Sequence, residues 1–563
     1  MKNLLIFFLL SLYIPLSGKA QGFDSTYSLG AANPYWGTNS AVQSIFPDSN
    51  FILFSGTCRR DSIDLSLLTG TIPMIGAIDY QGNLLWWRGM SLDTPKYYAG
   101  RQNHCLSLSK ISPNKYVMVA SGHDGITLAD SMILIYPYLL FFNSQGDTIH
   151  LSSIPTYNDS LEYPPTLWIR GLCVDNNKNI LVTGRYYNVL NPTSLDSGGL
   201  YIAKFDSNGV FQWKKHHYSL FGNIIDPVFG GYKILPANDG NGYLISGYKA
   251  SMDTLTNNIF HFVRIDSMGN ILWEKFLPKA NNLFRFGDNF ERADFINAMD
   301  GSGYYFNSRE YADTSNVNFR FMSYIGKIDN IGNVVWAKTI DFNGKNVLPH
   351  DMVQMDNGDL VFNIDISYPY SNGINNFSGT TLLRTDSLGN IKWHKAYRTI
   401  FCAPIDEPMI VMSKTPYNSI ALGGYEGNLY APFPNCYTSI DFVSRVALVD
   451  SLGRRNNDDT AYLYFNPTVT EVEYPTGITP PAKDLKKTIN VYPNPAGQDL
   501  FISIKEKGNY KIEIQDINGR SRMSKSLGAD ITQIDIGNWQ SGIYFIKVFE
   551  ENTYLGAFKF VKR

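Results

Sequence analysis

The stretch Ile265-Asp-Ser-Met-Gly-Asn-Ile-Leu-Trp-Glu-Lys275 recurs in related form along most of the chain. Each copy has an apolar run, a tight Asp-x-x-Gly turn and a second run that usually carries Trp. The copies start at Asp79, Asn143, Asp206, Asp266, Asp329, Asp386 and Asp450. They are separated by 64, 63, 60, 63, 57 and 64 residues. A nearly constant period of this size indicates a repeat architecture.

Each copy predicts a β-hairpin. An apolar or alternating run, such as Tyr201 to Phe205, precedes the turn and fits a strand. The Asp side chain can accept hydrogen bonds from backbone N–H groups ahead of it, and the Gly tolerates positive φ. The Trp of the second strand, Trp86 rather than Trp87 in the first copy, has ample area to bury against a neighbouring unit. Two copies depart, because His150 replaces Trp in the second and the seventh lacks the Trp strand after Gly453.

A second short strand recurs between the hairpins, as in Gly242-Tyr-Leu-Ile-Ser-Gly247. With one further strand, each unit of about 62 residues has about four antiparallel strands. Seven such units can close into a ring, and closure removes exposed sheet edges. The hairpins and strands resemble the degenerate β-propeller repeats of secreted bacterial proteins. The predicted fold is therefore all-β, with a seven-bladed β-propeller over residues 21–460.

The seventh unit needs an outer strand from elsewhere in the chain. We predict that Tyr27-Ser-Leu29 supplies it and closes the ring.

The N-terminus has the pattern of a secretory signal peptide over residues 1–20. Lys2 is followed by an apolar run from Leu4 to Ile14 and by the small-residue cleavage site Gly18-Lys-Ala20. No other run of about 18 apolar residues follows, so no transmembrane segment is expected after cleavage. The formal charge of −2 without a basic run argues against nucleic-acid binding.

The C-terminal region changes character twice. Residues 461–488 contain four prolines and predict an extended linker. Residues 489–563 carry four motifs in order: Tyr492-Pro-Asn-Pro495, Asp516 with Gly519, Ser541-Gly-Ile-Tyr544, and Lys559-Phe-Val-Lys-Arg563. This segment resembles the type A C-terminal sorting domain of the type IX secretion system of Bacteroidota. The resemblance implies an Ig-like β-sandwich, export through the periplasm and across the outer membrane by the type IX secretion machinery, and removal of the tail. An ordinary adhesion sandwich is the alternative.

No catalytic, cofactor-binding or metal-binding residues are predicted. The eight His residues are dispersed, and neither H-E-x-x-H nor G-x-S-x-G occurs. His216 and His217 should point to opposite strand faces, which is poor geometry for a shared metal. His104 and His123 lie near strands of the second unit, where a structural role is expected. Turn chemistry accounts for three acidic or amide clusters, with structural calcium as the alternative: Asp175–Asn179, Asp239–Gly242 and Asp356–Asp359.

Aromatic segments and cysteines are two further features that bear on function. Three aromatic segments can stack on sugars or anchor a protein partner, although packing between units also explains them: Asn33–Trp36, Tyr163–Trp168 and Asn282–Phe290. The five Cys residues do not form paired metal motifs. Cys402 with Cys436 is the preferred disulfide, and buried thiols are the alternative.

These observations predict a monomeric binding or adhesion propeller, secreted or attached to the outer cell surface, with a glycan or protein ligand. The prediction is non-enzymatic because no catalytic constellation is present. The alternative is an extracellular hydrolase whose site lies in the propeller funnel, since propellers host both kinds of function.

Overall fold

A computed structural model describes two units, Met1–Glu471 and Val472–Arg563. The residues described in the first unit are 23–27, 40–59, 71–90, 107–124, 134–155, 166–187, 198–217, 229–249, 259–277, 294–313, 320–342, 345–367, 378–397, 409–429, 440–452, 454 and 467–471. Those of the second unit are 489–504, 510–516, 521–527, 530–550 and 553–563. The predicted signal peptide lies outside these residues.

The first unit is built entirely from strands within its described residues. The first half contains β1 (Phe23–Tyr27), β2 (Ala41–Pro47), β3 (Ile52–Arg59), β4 (Thr71–Ile78), β5 (Leu84–Gly89), β6 (Leu108–Ser112), β7 (Lys115–Asp124), β8 (Leu134–Phe142), β9 (Thr148–Ser153), β10 (Thr166–Val174), β11 (Ile180–Tyr187), β12 (Gly198–Phe205), β13 (Phe211–His217), β14 (Phe229–Pro236) and β15 (Tyr243–Lys249). The second half contains β16 (Ile259–Ile265), β17 (Ile271–Phe276), β18 (Asp294–Asn297), β19 (Tyr304–Asp313), β20 (Arg320–Ile328), β21 (Val334–Asp341), β22 (Asn346–Gln354), β23 (Leu360–Ser367), β24 (Ser378–Thr385), β25 (Ile391–Tyr397), β26 (Met409–Lys414), β27 (Ile420–Leu429), β28 (Ile440–Val449) and β29 (Thr468–Glu471).

These strands form a seven-bladed β-propeller. Blades 1 to 6 are the antiparallel sheets that begin with β2, β6, β10, β14, β18 and β22, and blade 7 has the order β1-β28-β27-β26. The first strands β2, β6, β10, β14, β18, β22 and β26 each pack against the next, and β26 packs against β2. They are therefore the innermost strands of a closed ring, and the all-β propeller predicted from the sequence is confirmed.

The N-terminal strand closes the ring, as the sequence predicted, but from different residues. β1 pairs antiparallel with β28, with Phe23 opposite Leu448 and Tyr27 opposite Ser444. The closing strand is thus Phe23–Tyr27 rather than Tyr27 to Leu29. Behind it, Val42 and Phe54 of blade 1 share a buried core with Val446 and Leu448 of blade 7.

The Asp-x-x-Gly turns have the geometry expected of their residues. Asp266 Oδ1 accepts hydrogen bonds from the backbone N–H groups of Met268 (2.9 Å) and Asn270 (2.8 Å). Gly269 has a φ of +81°, which L-residues with a Cβ rarely adopt. These turns and the turns between the first two strands of each blade lie at one end of the sheets, which we call the turn face.

The hairpin Trp packs one blade against the next. A Cβ added to Gly332, in the turn of blade 5, would lie 2.8 Å from Cζ3 of Trp273 in blade 4. The same relation joins Gly146 to Trp86, which confirms Trp86 as the equivalent residue in blade 1. In blade 2, His150 takes this position and its Nε2 lies 2.8 Å from the carbonyl oxygen of Asn208 in the next turn. The glycines Gly146, Gly269, Gly332 and Gly389 therefore each provide a contact surface for a Trp as well as a positive φ.

A glycine substitution separates these two roles. We expect Gly332→Ala to lower the free energy of unfolding by about 2–5 kcal/mol, because it adds overpacking against Trp273 to the cost of positive φ. Gly301→Ala is the matched control, since Gly301 has a φ of +68° and no atom within 4 Å of an added Cβ. Its expected cost is about 1–2 kcal/mol. Thermal and chemical denaturation measure both, and equal losses would contradict the packing role.

Blade 5 carries a fifth strand. β29 pairs antiparallel with the outer strand β21, with Lys338 opposite Glu471 and Asp341 opposite Thr468. Lys338 Nζ lies 3.2 Å from Glu471 Oε1. Four residues from the region predicted as a linker thus extend a propeller sheet.

The second unit is a small β-sandwich. One sheet has the order β30 (Ile489–Tyr492), β31 (Asp499–Ile504), β34 (Asp530–Asp535), and the other β33 (Ser521–Leu527), β32 (Tyr510–Asp516), β35 (Gly542–Glu550), β36 (Thr553–Lys562). Leu500 and Ile502 from the first sheet pack with Ile512, Ile546 and other apolar side chains of the second. Across the described parts of both units, no helix is long and apolar enough to cross a membrane.

Candidate functional site

Charged side chains meet on the innermost strands of blades 4, 5 and 6. Lys233 lies opposite Ser246, Asp294 opposite Asn307, and Asp351 opposite Asn363. Ser246, Asn307 and Asn363 each occupy the fourth position of the second strand of their blade. The three charged residues opposite them therefore lie at one level of the ring. We call Lys233, Asp294 and Asp351 the charged cluster.

Short contacts connect the charged cluster to the next blades. Lys233 Nζ lies 2.5 Å from Asp294 Oδ1 and 4.0 Å from Asp351 Oδ1. Asp294 Oδ2 accepts a hydrogen bond from the backbone N–H of Met352 at 3.0 Å. Asp351 accepts backbone hydrogen bonds from Met352 (2.9 Å) and Met412 (2.8 Å). All four carboxylate oxygens are engaged, and the contacts run from blade 4 to blade 7.

Burial sets the electrostatics of the charged cluster. It raises the pKa of the Asp294 carboxyl well above its usual value, with the charge of Lys233 opposing and that of Asp351 adding to the shift. Burial also acts to lower the pKa of Lys233, but the two carboxylates more than offset this and raise it. The side chain of Asp294 is 4% exposed, that of Asp351 20% and that of Lys233 27%. Asp351 and Lys233 are therefore the members that solvent or a ligand can reach.

A buried His–Asp pair lies beside the charged cluster in blade 6. His350 Nε2 is 2.9 Å from Asp365 Oδ2, and both side chains are 1% exposed. His350 occupies the β-bulge between Pro349 and Asp351. A carboxylate held this way orients an imidazole, but a substrate would need to displace packed residues to reach it. The geometry supports a packing role for the pair.

Removing one charge from the cluster is expected to be costly in a pH-dependent way. Lys233→Met leaves the Asp294 carboxylate buried without its cation, which should cost about 3–5 kcal/mol at pH 7. Lys233 opposes the rise in the pKa of Asp294, so its removal should raise that folded-state pKa further; the stability of the variant is then complete at low pH and is lost as pH rises through the raised pKa. The variant should therefore approach the wild type as the pH falls from 7 towards 5. Thermal midpoints across this range measure the effect.

The matched control is the double variant Lys233→Met with Asp294→Asn. It removes both charges, so it should recover most of the loss and show little dependence on pH. Equal midpoints for the single and double variants at every pH would show that the ion pair does not stabilise the ring.

The histidines singled out in the sequence do not converge. His216 packs against the rings of Tyr186 and Tyr201, with centroids 5.2 and 5.1 Å away, and burial lowers its pKa to about 4. His217 Nε2 lies 2.9 Å from the carbonyl oxygen of Gly269 in the next blade. Both have packing roles. His104 lies outside the described residues, as does the side chain of His123.

The three acidic or amide clusters are turns whose Asp side chains form hydrogen bonds or ion pairs with neighbouring side chains. Asp175 accepts hydrogen bonds from the Asn179 N–H (2.8 Å) and the Tyr243 hydroxyl (2.8 Å). Asp239 pairs with Arg264 at 2.7 Å. Asp359 similarly pairs with Arg384 and Lys392, at 2.8 and 2.6 Å. Within the described residues, no group of three or more His, Cys, Asp or Glu side chains is arranged to hold a metal ion.

The other sequence candidates are only partly described. Of the aromatic segments, residues 33–36 and 282–290 lie outside the described residues, and Trp168 of the third is 40% exposed with the Arg170 guanidinium 5.6 Å from its ring. Cys58 and Cys173 are buried thiols. Cys402 and Cys436 lie outside the described residues, so their disulfide remains a prediction. The charged cluster itself was missed, because the first strands of the copies have no common motif that aligns them.

In the C-terminal sandwich, the tail motifs meet through the last strand. Asn494 Oδ1 accepts a hydrogen bond from the Val561 N–H at 3.0 Å, and the Arg563 N–H donates to the Ala496 carbonyl at 3.0 Å. Buried Phe560 stacks on Tyr544, with centroids 5.4 Å apart. The first, third and fourth motifs therefore support one another, and Arg522 pairs with Asp516 of the second at 2.9 Å. Gly519 lies outside the described residues.

Residues 490–562 match the family described as the secretion system C-terminal sorting domain. This sorting domain marks the chain for export by the type IX secretion system. The protein is accordingly a secreted or cell-surface protein. No curated protein matches the chain significantly in sequence.

Similar solved structures include three of low identity. PorZ, described as an essential bacterial surface component of the type IX secretion system of Porphyromonas gingivalis, is 11% identical over 94% of this chain and 82% of its own, with a TM-score of 0.25. A glycosyl hydrolase from Bacteroides ovatus is 11% identical over 62% of this chain and 84% of its own, with a TM-score of 0.29. A β-1,2-mannobiose phosphorylase from Listeria innocua is 9% identical over 61% and 88%, with a TM-score of 0.26. Because these TM-scores lie below 0.5, the likenesses say nothing about activity.

Proposed function

We propose that the chain is an exported binding or adhesion propeller whose ligand is a glycan or a protein. The observation that carries the proposal is the sorting domain at residues 490–562, which joins an export signal to a closed propeller. The inner strands add support, because the carboxylates of the charged cluster accept hydrogen bonds from neighbouring blades and the His350–Asp365 pair is buried. Charged side chains used in this way stabilise a scaffold, and ligand recognition then depends on the surface.

Binding assays on the chain without its predicted signal peptide, residues 21–563, test this proposal. We expect binding to one class of ligand in a glycan array or in an adhesion assay on bacterial and host cell surfaces. A chain that is folded by thermal denaturation and binds nothing in either assay would contradict a binding role.

An extracellular hydrolase is the second candidate, and the charged cluster is what favours it. A buried carboxyl with a raised pKa beside a second, partly exposed carboxylate is a pattern that general acid–base catalysis uses. Under this candidate, Asp351→Asn would abolish hydrolysis of an extracellular polysaccharide or protein while the chain remains folded. The engagement of both Asp351 oxygens by backbone N–H groups makes it the weaker candidate.

A further inference from the structure

A pocket opens on the turn face between blades 5 and 6. Its volume is about 290 Å³, enough for one large apolar side chain. Three of the lining side chains are apolar and exposed, namely Met299 (58%), Val335 (57%) and Leu388 (60%). Exposed apolar side chains that converge on one concavity are typical of a surface that a partner covers. We call this site the turn-face pocket.

Two carboxylates line the same pocket. Asp300 and Asp356 come from the turns between the first two strands of blades 5 and 6. Hydrogen bonds from Ser302, its Oγ at 2.5 Å and its N–H at 3.0 Å, lower the pKa of Asp300 and keep it ionised. Asp300 therefore carries charge at neutral pH.

The cations that pair with these carboxylates lie beneath them. Asp300 is 65% exposed whereas its partner Lys327 is 13% exposed, and Asp356 is 57% exposed whereas Lys414 is 27% exposed. Blade 4 repeats the arrangement with Asp239 at 58% and Arg264 at 3%. Since the negative end of each pair faces solvent, this part of the turn face presents negative charge to an approaching partner.

The basic side chain in the pocket lining has its own contacts. Lys327 Nζ donates a hydrogen bond to Ser302 Oγ at 2.6 Å and lies 5.0 Å from the centre of the Tyr305 ring. Lys327 is therefore held below the rim, and the charged groups that are more than half exposed there are the two carboxylates. A ligand that suits the pocket needs an apolar group for the cavity and positive charge at the rim.

We infer that the turn-face pocket is a docking site for a protein partner that inserts an apolar side chain and places Lys or Arg beside Asp300 and Asp356. This inference rests on the proposed binding function and selects a protein rather than a glycan as the occupant. Exposed Met, Val and Leu side chains suit an apolar side chain better than the hydroxyl groups of a sugar. An anionic lipid surface would be repelled by the carboxylates.

The equivalent turn of another blade supplies a control position for Leu388. Leu388 lies at the third position of the Asp-x-x-Gly turn in blade 6, and the equivalent residue in blade 3 is the exposed Asn208. A charge introduced at either position should leave folding intact, but only Leu388 lines the pocket. This gives a substitution and a control in the same local geometry.

Selection from a phage-displayed library of random 12-residue peptides on residues 21–563 tests the inference. We expect the selected peptides to carry Leu, Met or Phe next to Lys or Arg. Binding of each synthetic peptide, measured by fluorescence polarisation, should weaken about tenfold with Leu388→Asp and be unchanged with Asn208→Asp or Leu388→Met. It should also weaken as salt is raised, because the rim contacts are electrostatic.

Three outcomes would overturn the inference: no peptide selected, selected peptides that are acidic, or peptides that bind Leu388→Asp as tightly as the wild type. If the chain then still binds a glycan or a cell surface, the proposed binding function stands and only the protein-docking site fails. If it binds nothing in any of these assays, both proposals fail together.

Discussion

Removal of residues 21–27 from the chain without its predicted signal peptide is expected to open the ring and lower its stability by on the order of 5 kcal/mol. The deletion removes β1, whose five residues pair with β28, and each lost backbone hydrogen bond contributes about 1 kcal/mol. It also exposes the outer edge of blade 7 to solvent and to other chains. Thermal denaturation and light scattering measure the lower midpoint and the aggregation that we expect.

A transposed strand is the matched control for this deletion. The Asp450 turn already has the hairpin hydrogen bond from the Asp450 N–H to the Arg454 carbonyl at 3.1 Å. A sequence equal to Phe23–Tyr27, placed directly after Arg454, would therefore run antiparallel to β28 as β1 does. It should restore much of the lost stability. A midpoint unaffected by the deletion would mean that the ring does not depend on its N-terminal strand.

Replacement of Lys559–Arg563 by Ser and Gly is expected to abolish export. The change removes Phe560 from the sandwich core, and with it the packing that holds the backbone N–H groups of residues 561 and 563 against the segment Asn494–Ala496. We expect the secretion machinery not to recognise an unfolded sorting domain, so the chain should accumulate in the periplasm. Immunoblots of cell fractions and culture medium measure its distribution.

Two further variants separate folding from recognition. Substituting Ser for only Lys559, Lys562 and Arg563 keeps Phe560 and Val561 in place, so loss of export there would indicate that the basic side chains are recognised directly. Ile531→Ser changes a 60% exposed residue of the same domain and should leave export intact. Unchanged secretion after the full replacement would favour an ordinary adhesion sandwich.

Much of the fold could be predicted because its determinants are local. Asp266 and Gly269 form their turn through hydrogen bonds and a φ value that span five residues. Such a unit has the same sequence pattern wherever it occurs, and seven copies set the number of blades. The closing strand was harder to predict from the sequence, because β1 and β28 are separated by about 400 residues. No local pattern fixes its register, and the predicted strand began four residues too late and shared only Tyr27 with β1.

The candidate sites could not be predicted from the sequence, because their residues are far apart in it. Lys233, Asp294 and Asp351 are about 60 residues apart, and nothing in their neighbouring sequences marks them as partners. They meet because the innermost strands of successive blades lie side by side. Likewise, Met299 and Leu388 line one pocket only because blades 5 and 6 pack against each other. Exposure also had to come from the structure, since sequence does not reveal that Asp300 faces solvent while Lys327 lies beneath it.

By itself, the sequence determined the repeat, its turns, the inter-blade role of the Trp residues and the motifs of the sorting domain. These depend on hydrogen bonds, φ preferences and residue sizes within short stretches of chain. The tertiary structure decided the residues that close the ring, the addition of Thr468–Glu471 to blade 5, the charged cluster and the turn-face pocket. Each of these requires side chains or strands far apart in sequence to meet, and only the closed ring of blades brings them together.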